Sequence, residues 1–331
     1  MIKEAIKKLV AGNDLTFDEA VQVMDEMFSG TATQSQMAAY LTALRIKGET
    51  IDEITASAQV MRETALHIKP NRDVLDIVGT GGDDTGTFNI STTAAFIIAA
   101  AGIPVAKHGN RSMSSKSGSA DCFEQLGINI NITPEKSEEV LNKAGICFMF
   151  AQGYHSSMKY VGPVRKEIGI RNIFNVLGPL TNPAGADLQV TGVYSETLVE
   201  PIAQVFSNLG VKKGYVFYGM DGMDEVTLTT TTKVCEIDNG RFNTFILNPE
   251  DYGLKLCTPE DLAGGDGKEN AEITKEILSD EIKDAKRDIV VLNAALGLCT
   301  GGKADSIQDG IKLANEIIAS GKAYAKIEEF A

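Results

Sequence analysis

The stretch Val74-Leu75-Asp76-Ile77-Val78-Gly79-Thr80-Gly81-Gly82-Asp83-Asp84-Thr85-Gly86-Thr87-Phe88-Asn89-Ile90-Ser91-Thr92 decides how this chain is read. A short apolar run ends at Val78, a glycine-rich loop follows, and residues 94–101 are apolar at helix length. Strand, loop and helix in that order open a βα unit. The glycines let a backbone approach an anion, while Asn89, Ser91 and Thr92 place side-chain donors beside the free N–H groups of a helix start. A merely tight turn is the other reading of the loop alone. Two common nucleotide motifs do not fit. No Gly-Lys-Ser/Thr ending is present, and Asp84 stands where a Gly-x-Gly-x-x-Gly run from Gly79 needs its last glycine.

Downstream, short apolar runs alternate with polar loops and helical stretches at 104–106, 146–151, 188–194 and 215–218, and as a pair at 226–230 and 233–237. That alternation predicts an α/β domain with a mixed sheet over about 70–331. Upstream, residues 1–65 read as an all-α lobe. Thr16/Glu19, Thr33/Gln36 and Thr50/Glu53 have capping-box spacing, and apolar residues such as Met24, Met27 and Phe28, or Met37, Tyr40, Leu41 and Leu44, follow at helical intervals. Gly30 and Gly48 are helix stops. Residues 156–183, rich in Gly, Pro, Asn and Arg, break the alternation and are a candidate return to the helical lobe.

With 331 residues, 43% hydrophobic and 23% charged, the chain has the composition of a globular protein able to bury a large core. Its net charge of -14 argues against a nucleic-acid partner but not against a small anionic ligand held by local cations and N–H groups. The five cysteines, Cys122, Cys147, Cys235, Cys257 and Cys299, are scattered without a zinc-type pair and read as reduced thiols. The start MIKEAIKKLVAGND lacks a signal-peptide core and no long apolar span follows, so a cytoplasmic protein is expected.

Two further clusters carry chemistry. Lys107, His108, Gly109, Asn110, Arg111, Ser112, Met113, Ser114, Ser115, Lys116, Ser117, Gly118 and Ser119 follow a short strand and combine cations, hydroxyls and glycines suited to gripping a pyrophosphate. A solvated basic loop has the same composition. Asp221-Gly222-Met223-Asp224-Glu225, after the strand at 215–218, offers adjacent carboxylates as hard ligands for Mg²⁺. A polar turn is the alternative there.

In this order, GTGGD…TFNIST, KHGNR…SS…GSAD, FAQ…H…VR…G.R..FN.LGPLTNP and DG.DE resemble the anthranilate phosphoribosyltransferase family over roughly residues 1–320. His155-Ser156 and Arg171-Asn172 depart from the proline and threonine common after those residues in the family. The resemblance implies a small helical domain and a large α/β domain, usually in a homodimer, that bind phosphoribosyl pyrophosphate and anthranilate between them. It implies donor contacts at Gly79, Gly82, Asp83, Thr87, Asn89, Ile90, Ser91, Thr92 and Ser119 and along 107–115, with Lys107 and Asp83 at the chemistry. Ser91, Asp224 and Glu225 are implied for Mg²⁺, and no redox or covalent cofactor. Anthranilate would meet Gly79, Asn110 and Arg165, with His108 and His155 lining its side. Because the aromatic amine is neutral at pH 7, catalysis is expected to rest on the leaving group rather than on a histidine base. A pyrimidine nucleoside phosphorylase of the same fold class is the nearest rival, disfavoured by KHGNR and the paired DE. A nucleic-acid-binding relative is disfavoured by the charge.

Overall fold

The computed structural model describes residues 1–112 and 116–331; Met113, Ser114 and Ser115, three of the expected donor contacts, lie outside the described residues. The chain begins with α1 (Ile2–Val10), α2 (Phe17–Phe28), α3 (Gln34–Lys47) and α4 (Ile51–Glu63). All three expected capping boxes form, at Thr16/Glu19, Thr33/Gln36 and Thr50/Glu53. Each satisfies two otherwise orphaned N–H groups, together worth about 1 kcal/mol per helix start. Glu53 does more than cap. Fully buried, it also accepts from Leu15 N at 2.9 Å and Lys47 Nζ at 2.8 Å, so one carboxylate fixes two interhelical turns.

The rest of the chain alternates. It runs β1 (Leu75–Gly79), α5 (Ile90–Ala100), β2 (Val105–Gly109), α6 (Ser119–Gln125), α7 (Pro134–Ala144), β3 (Ile146–Phe150), α8 (Ala151–Tyr154), α9 (Met158–Ile168), α10 (Phe174–Leu180), β4 (Leu188–Gly192), α11 (Val199–Asn208), β5 (Lys213–Gly219), β6 (Thr232–Asp238), β7 (Arg241–Leu247), α12 (Gly267–Leu278), α13 (Ala285–Thr300), α14 (Ile307–Ala319) and α15 (Lys322–Phe330). The seven strands form one mixed sheet in the order β3-β2-β1-β4-β5-β6-β7. β3 through β5 in that order are parallel, and β6 and β7 are antiparallel additions at one edge. α9 packs on α2 and α3, and α10 on α4. Val161, Val164, Phe174 and Leu177 thereby share one apolar core with Met24, Tyr40 and Leu44.

One expectation is corrected. Residues 226–230 are not a strand; the hairpin partner of β6 is β7. The backbone at 226–229 finds side chains instead of a ladder: Val226 N donates to Asn293 Oδ1 at 3.0 Å, Thr227 N to Thr232 Oγ1 at 3.1 Å and Thr229 N to Thr227 Oγ1 at 3.0 Å. The hairpin turns at Asn239-Gly240, both at positive φ (49° and 80°), the pairing that a two-residue turn between twisted strands demands.

The strand order reverses its direction of growth at β1, which has β2 on one side and β4 on the other. In open α/β sheets the crevice beyond the carboxyl ends of such strands is where ligands bind. Here β1 ends at Gly79, β2 at Gly109 and β4 at Gly192.

Candidate active site

Asp224 sits in the notch between β1 and β4. A Cβ on Gly79 would collide with its carboxylate, and one on Gly192 with its backbone carbonyl, so these two glycines are there to let the acid approach. Asp224 Oδ2 accepts from Gly81 N at 2.6 Å, and Asp224 N donates to Asp83 Oδ2 at 3.4 Å. Glu225 Oε1 accepts from Ser91 N at 3.1 Å, at the start of α5. The two N–H groups best placed to meet a phosphate, on the glycine loop and at the helix start, are therefore held by the chain's own carboxylates.

Lys107 enters this cluster from β2. Only 1% exposed, its ammonium donates to the Ile77 carbonyl and to Ser91 Oγ at 3.3 Å. Burial pulls its pKa down, opposed by the charges of Asp76, Glu225 and Asp224. Burial likewise pushes Glu225 up to about 7, against the pull of Lys107, and raises Asp224 well above the carboxylate range, with Asp83 and Glu225 adding repulsion. One buried cation among several acids leaves the site short of positive charge. Among the described residues no three His, Cys, Asp or Glu side chains are grouped to hold a metal by themselves. A hard dication completed by phosphate oxygens fits such a donor set.

The second half of the cleft is differently built. His108, next on β2, faces α10: its Nδ1 lies 3.1 Å from the Gly178 carbonyl, which fixes the proton on Nδ1, and its ring is 5.1 Å from that of His155. Burial lowers His108 to about 3 and His155 to about 4, so both rings are neutral. His108 Nε2 and Arg165 Nε are buried without a hydrogen-bond partner among the described residues, and the His155 ring makes no well-formed hydrogen bond, with only a weak contact to the Thr181 backbone. Arg165, on α9, stands over the Phe174 ring of α10 at 5.1 Å, and burial lowers its pKa. Buried unsatisfied polar groups cost about 1–3 kcal/mol each, so these atoms mark a surface shaped for a polar ligand.

The remaining expected contacts fall into two groups. Asn89 is held by Ser117 and Asn270, Asn270 Nδ2 donating to Asn89 Oδ1 at 2.9 Å. Ser119 Oγ donates to the Asn110 carbonyl at 3.4 Å, and Ser112 N to Asp121 Oδ2 at 3.4 Å. Thr87 makes an isolated bridge to Ala263, which closes residues 259–265 over the loop. A Cβ on Gly109 would strike Ser119 Oγ. Thr92 is buried beneath α5's first turn. Two assignments look different in the structure. Ile90 is buried in the apolar core with its N–H on the Phe88 carbonyl, so its side chain does not face the cleft. The Arg111 guanidinium is tied to Glu124 at 2.6 Å and Asp121 at 2.7 Å rather than open to an anion.

Several organising residues escaped the sequence reading. Asn293 spans Val226 N, Val226 O and Ile289 O, fixing the chain just after the acidic pair. Asp76, fully buried and raised to about 6 by burial, accepts from Asn182 Nδ2 at 2.7 Å and His108 N at 3.3 Å, locking β1 to β2 beneath the histidine. For Asn293 an asparagine amid the apolar run 289–296 was the available signal, whereas Asn270 stands among charged residues that give none.

Residues 71–324 match the family described as "Glycosyl transferase family, a/b domain" and residues 3–65 its helical bundle domain. The anthranilate phosphoribosyltransferase of Methanobrevibacter smithii is 56% identical over 330 residues, covering 100% of this chain and 98% of the relative. That of Ruminiclostridium cellulolyticum is 55% identical, covering 100% and 96%. The crystal structure of the Thermus thermophilus anthranilate phosphoribosyltransferase superposes with a TM-score of 0.93 at 43% identity over 98% of each chain. The Saccharomyces cerevisiae enzyme in complex with PRPP and Mg gives 0.90 at 28% identity, covering 99% of this chain and 96% of that one.

Proposed function

The chain belongs to the anthranilate phosphoribosyltransferase family, and from that membership we propose how its own residues divide the work. The reaction transfers the 5-phosphoribosyl group from phosphoribosyl pyrophosphate to anthranilate, giving N-(5-phosphoribosyl)anthranilate and pyrophosphate on the route to tryptophan. The lobe of residues 1–65, joined by about 156–183, and the domain of about 70–331 bound the cleft between them.

The carrying observation is the contrast across β2: Lys107 points into a buried acid cluster, and His108 packs against His155 with Nε2 unpaired. We assign the donor to the first side and anthranilate to the second. Asp224, Glu225 and the Ser91 hydroxyl would hold Mg²⁺, which when bound supplies Lewis-acid stabilisation of the departing pyrophosphate. Lys107, its charge undiluted by water, adds to the same stabilisation, and Asp83 positions Asp224. Arg165 grips the anthranilate carboxylate. The anthranilate amine forms the new C–N bond as the anomeric C–O bond breaks, and its proton then passes to the released pyrophosphate or solvent, so neutral His108 and His155 shape and orient the acceptor without acting as bases.

The test is anthranilate fluorescence. Its loss on addition of phosphoribosyl pyrophosphate and Mg²⁺ is the expected result, and phosphorolysis of thymidine or uridine in its place would overturn the reading. No helix among the described residues is long and apolar enough to cross a membrane, and a cytoplasmic enzyme fits this biosynthetic role. We further assign the helical lobe as a homodimer contact, since Val10 and Ile46 on α1 and α3 are 75% and 81% exposed. Light scattering should then give twice 35.4 kDa; a fully active monomer at micromolar concentration would remove the dimer.

A further inference from the structure

Arg171 lies in the short segment between α9, which carries Arg165, and α10, which carries Gly178. Its guanidinium crosses the cleft. One Nη donates to the Gly82 carbonyl, the same group faces the Asp84 carboxylate at 3.6 Å, and its carbon sits 4.8 Å from the centroid of the Tyr194 ring just beyond β4. The base of this arm is rigid. Asn172 is 3% exposed and its side chain closes on the Ile170 carbonyl at 3.0 Å and Phe174 N at 3.2 Å, with its own N–H on Asn175 Oδ1 at 2.9 Å.

The loop that Arg171 reaches is costly to order. Gly81, Gly82, Asp84 and Gly86 all have positive φ, and glycines lose the most conformational freedom on being fixed. Asp84, at φ 57°, is the non-glycine in this run and adds a negative charge beside a site built for an anion. Across this loop, Thr80 N is tied to Gly192 O and Gly81 N to Asp224. The second of these anchors is spent on a residue assigned to the metal. Arg171 instead touches a carbonyl and a carboxylate, neither of which a phosphate competes for, and it neutralises Asp84.

We propose that Arg171 is a positioning residue that holds the 82–84 stretch of the glycine loop ready for the donor and ties it to the segment bearing the acceptor-binding Arg165. The inference rests on the phosphoribosyl-transfer reading. A guanidinium suits this place because its delocalised group can sit over Tyr194 while one nitrogen serves both Gly82 and Asp84, whereas an ammonium brings only a point charge.

Steady-state kinetics of R171A and R171K against wild type test it, with thermal melting alongside. R171A is expected to raise the donor KM about tenfold and leave the anthranilate KM within about twofold. Its Tm should stay within about 3 °C of wild type, because a half-exposed ion pair contributes little to stability. R171K, which keeps charge but loses the planar group over Tyr194, should recover only part of the donor KM. A donor KM within twofold of wild type in R171A overturns the inference, as do equal rises in both KM values. Should R171A fail to fold, R171K decides alone: an unchanged donor KM overturns the proposal and a selective rise supports it. Wild type that turns over neither substrate overturns the transfer reading itself, and this inference with it, a result distinct from a normal wild type with an indifferent variant.

Discussion

The two halves of the cleft meet at adjacent residues of one strand, yet they are built on opposite principles. Around Lys107 the polar atoms are bonded to one another: ammonium to Ser91 and Ile77, Asp224 to Gly81, Glu225 to Ser91 N. What that side lacks is positive charge. Around His108 the rings are neutral and the one charge, on Arg165, has no ion-pair partner among the described residues, and what is lacking is hydrogen-bond partners. A side that is bonded but too negative suits the proposed cation with its phosphates; a side with an unpaired guanidinium and unbonded ring nitrogens suits the proposed small aromatic carboxylate.

The comparison can be broken most forcefully at the acids. Replacing Asp224 and Glu225 together by Ala removes the proposed metal ligands and should cut turnover roughly hundredfold or more, a loss of about 3 kcal/mol in transition-state stabilisation, and shift the Mg²⁺ titration to higher concentration. A wild-type Mg²⁺ curve with near-normal turnover would return the pair to a polar turn. Somewhat smaller is Asn293→Ala, which strands the buried N–H and C=O of Val226 and should cost about 2–3 kcal/mol in denaturant unfolding. Unchanged stability would show that this side is not held together by its own bonds.

On the other side the prediction reverses. Arg165→Ala should raise the anthranilate KM about thirtyfold, about 2 kcal/mol, with little change in the donor KM. Stability should hold or improve, because a buried guanidinium with an unpaired Nε costs the empty fold energy. Equal effects on both substrates would count against the assignment.

The smallest effect is in pH. A histidine whose folded pKa is lowered from 6.5 to about 4 binds fewer protons in the fold than in the unfolded chain, so its contribution to stability falls as pH drops through that window. Asp76 and Glu225, raised to about 6 and about 7, act in the opposite sense there, which makes the difference between variants the useful quantity. His155→Asn should gain on wild type as pH falls from 6.5 towards 4, by no more than about 1.4 kcal/mol per pH unit. Parallel curves would mean that His155 is not held neutral.

Much of this contrast was legible in the residues because its parts are local. The strand ending at Val78, the loop from Gly79 and the helix from Ile90 are contiguous, and the capping boxes are three residues wide. Asp224 and Glu225 stood out as adjacent carboxylates after a strand, with a polar turn as the alternative, while Arg165 came only from resemblance to a family. What stayed hidden depends on pairing across the fold. Asn293 acts on a loop 67 residues away, Asn182 on Asp76 106 away and Arg171 on Gly82 89 away, and no window of sequence shows such contacts. The hairpin is a different failure. The expected strand at 226–230 has its backbone satisfied by Asn293 and Thr232, and the turn falls at Asn239-Gly240, which the sequence reading did not use. For Ile90 and Arg111 a site motif contained residues serving the core and a surface ion pair instead.

Isothermal titration of two ligands into three proteins tests the division of the cleft most directly: anthranilate, and phosphoribosyl pyrophosphate with Mg²⁺, into wild type, Arg165→Ala and the Asp224→Ala/Glu225→Ala pair. The account predicts a crossed result, with Arg165→Ala weakening anthranilate alone and the acid pair weakening the Mg²⁺-dependent donor alone. Loss of both ligands in both variants, or of the same ligand in each, would contradict it.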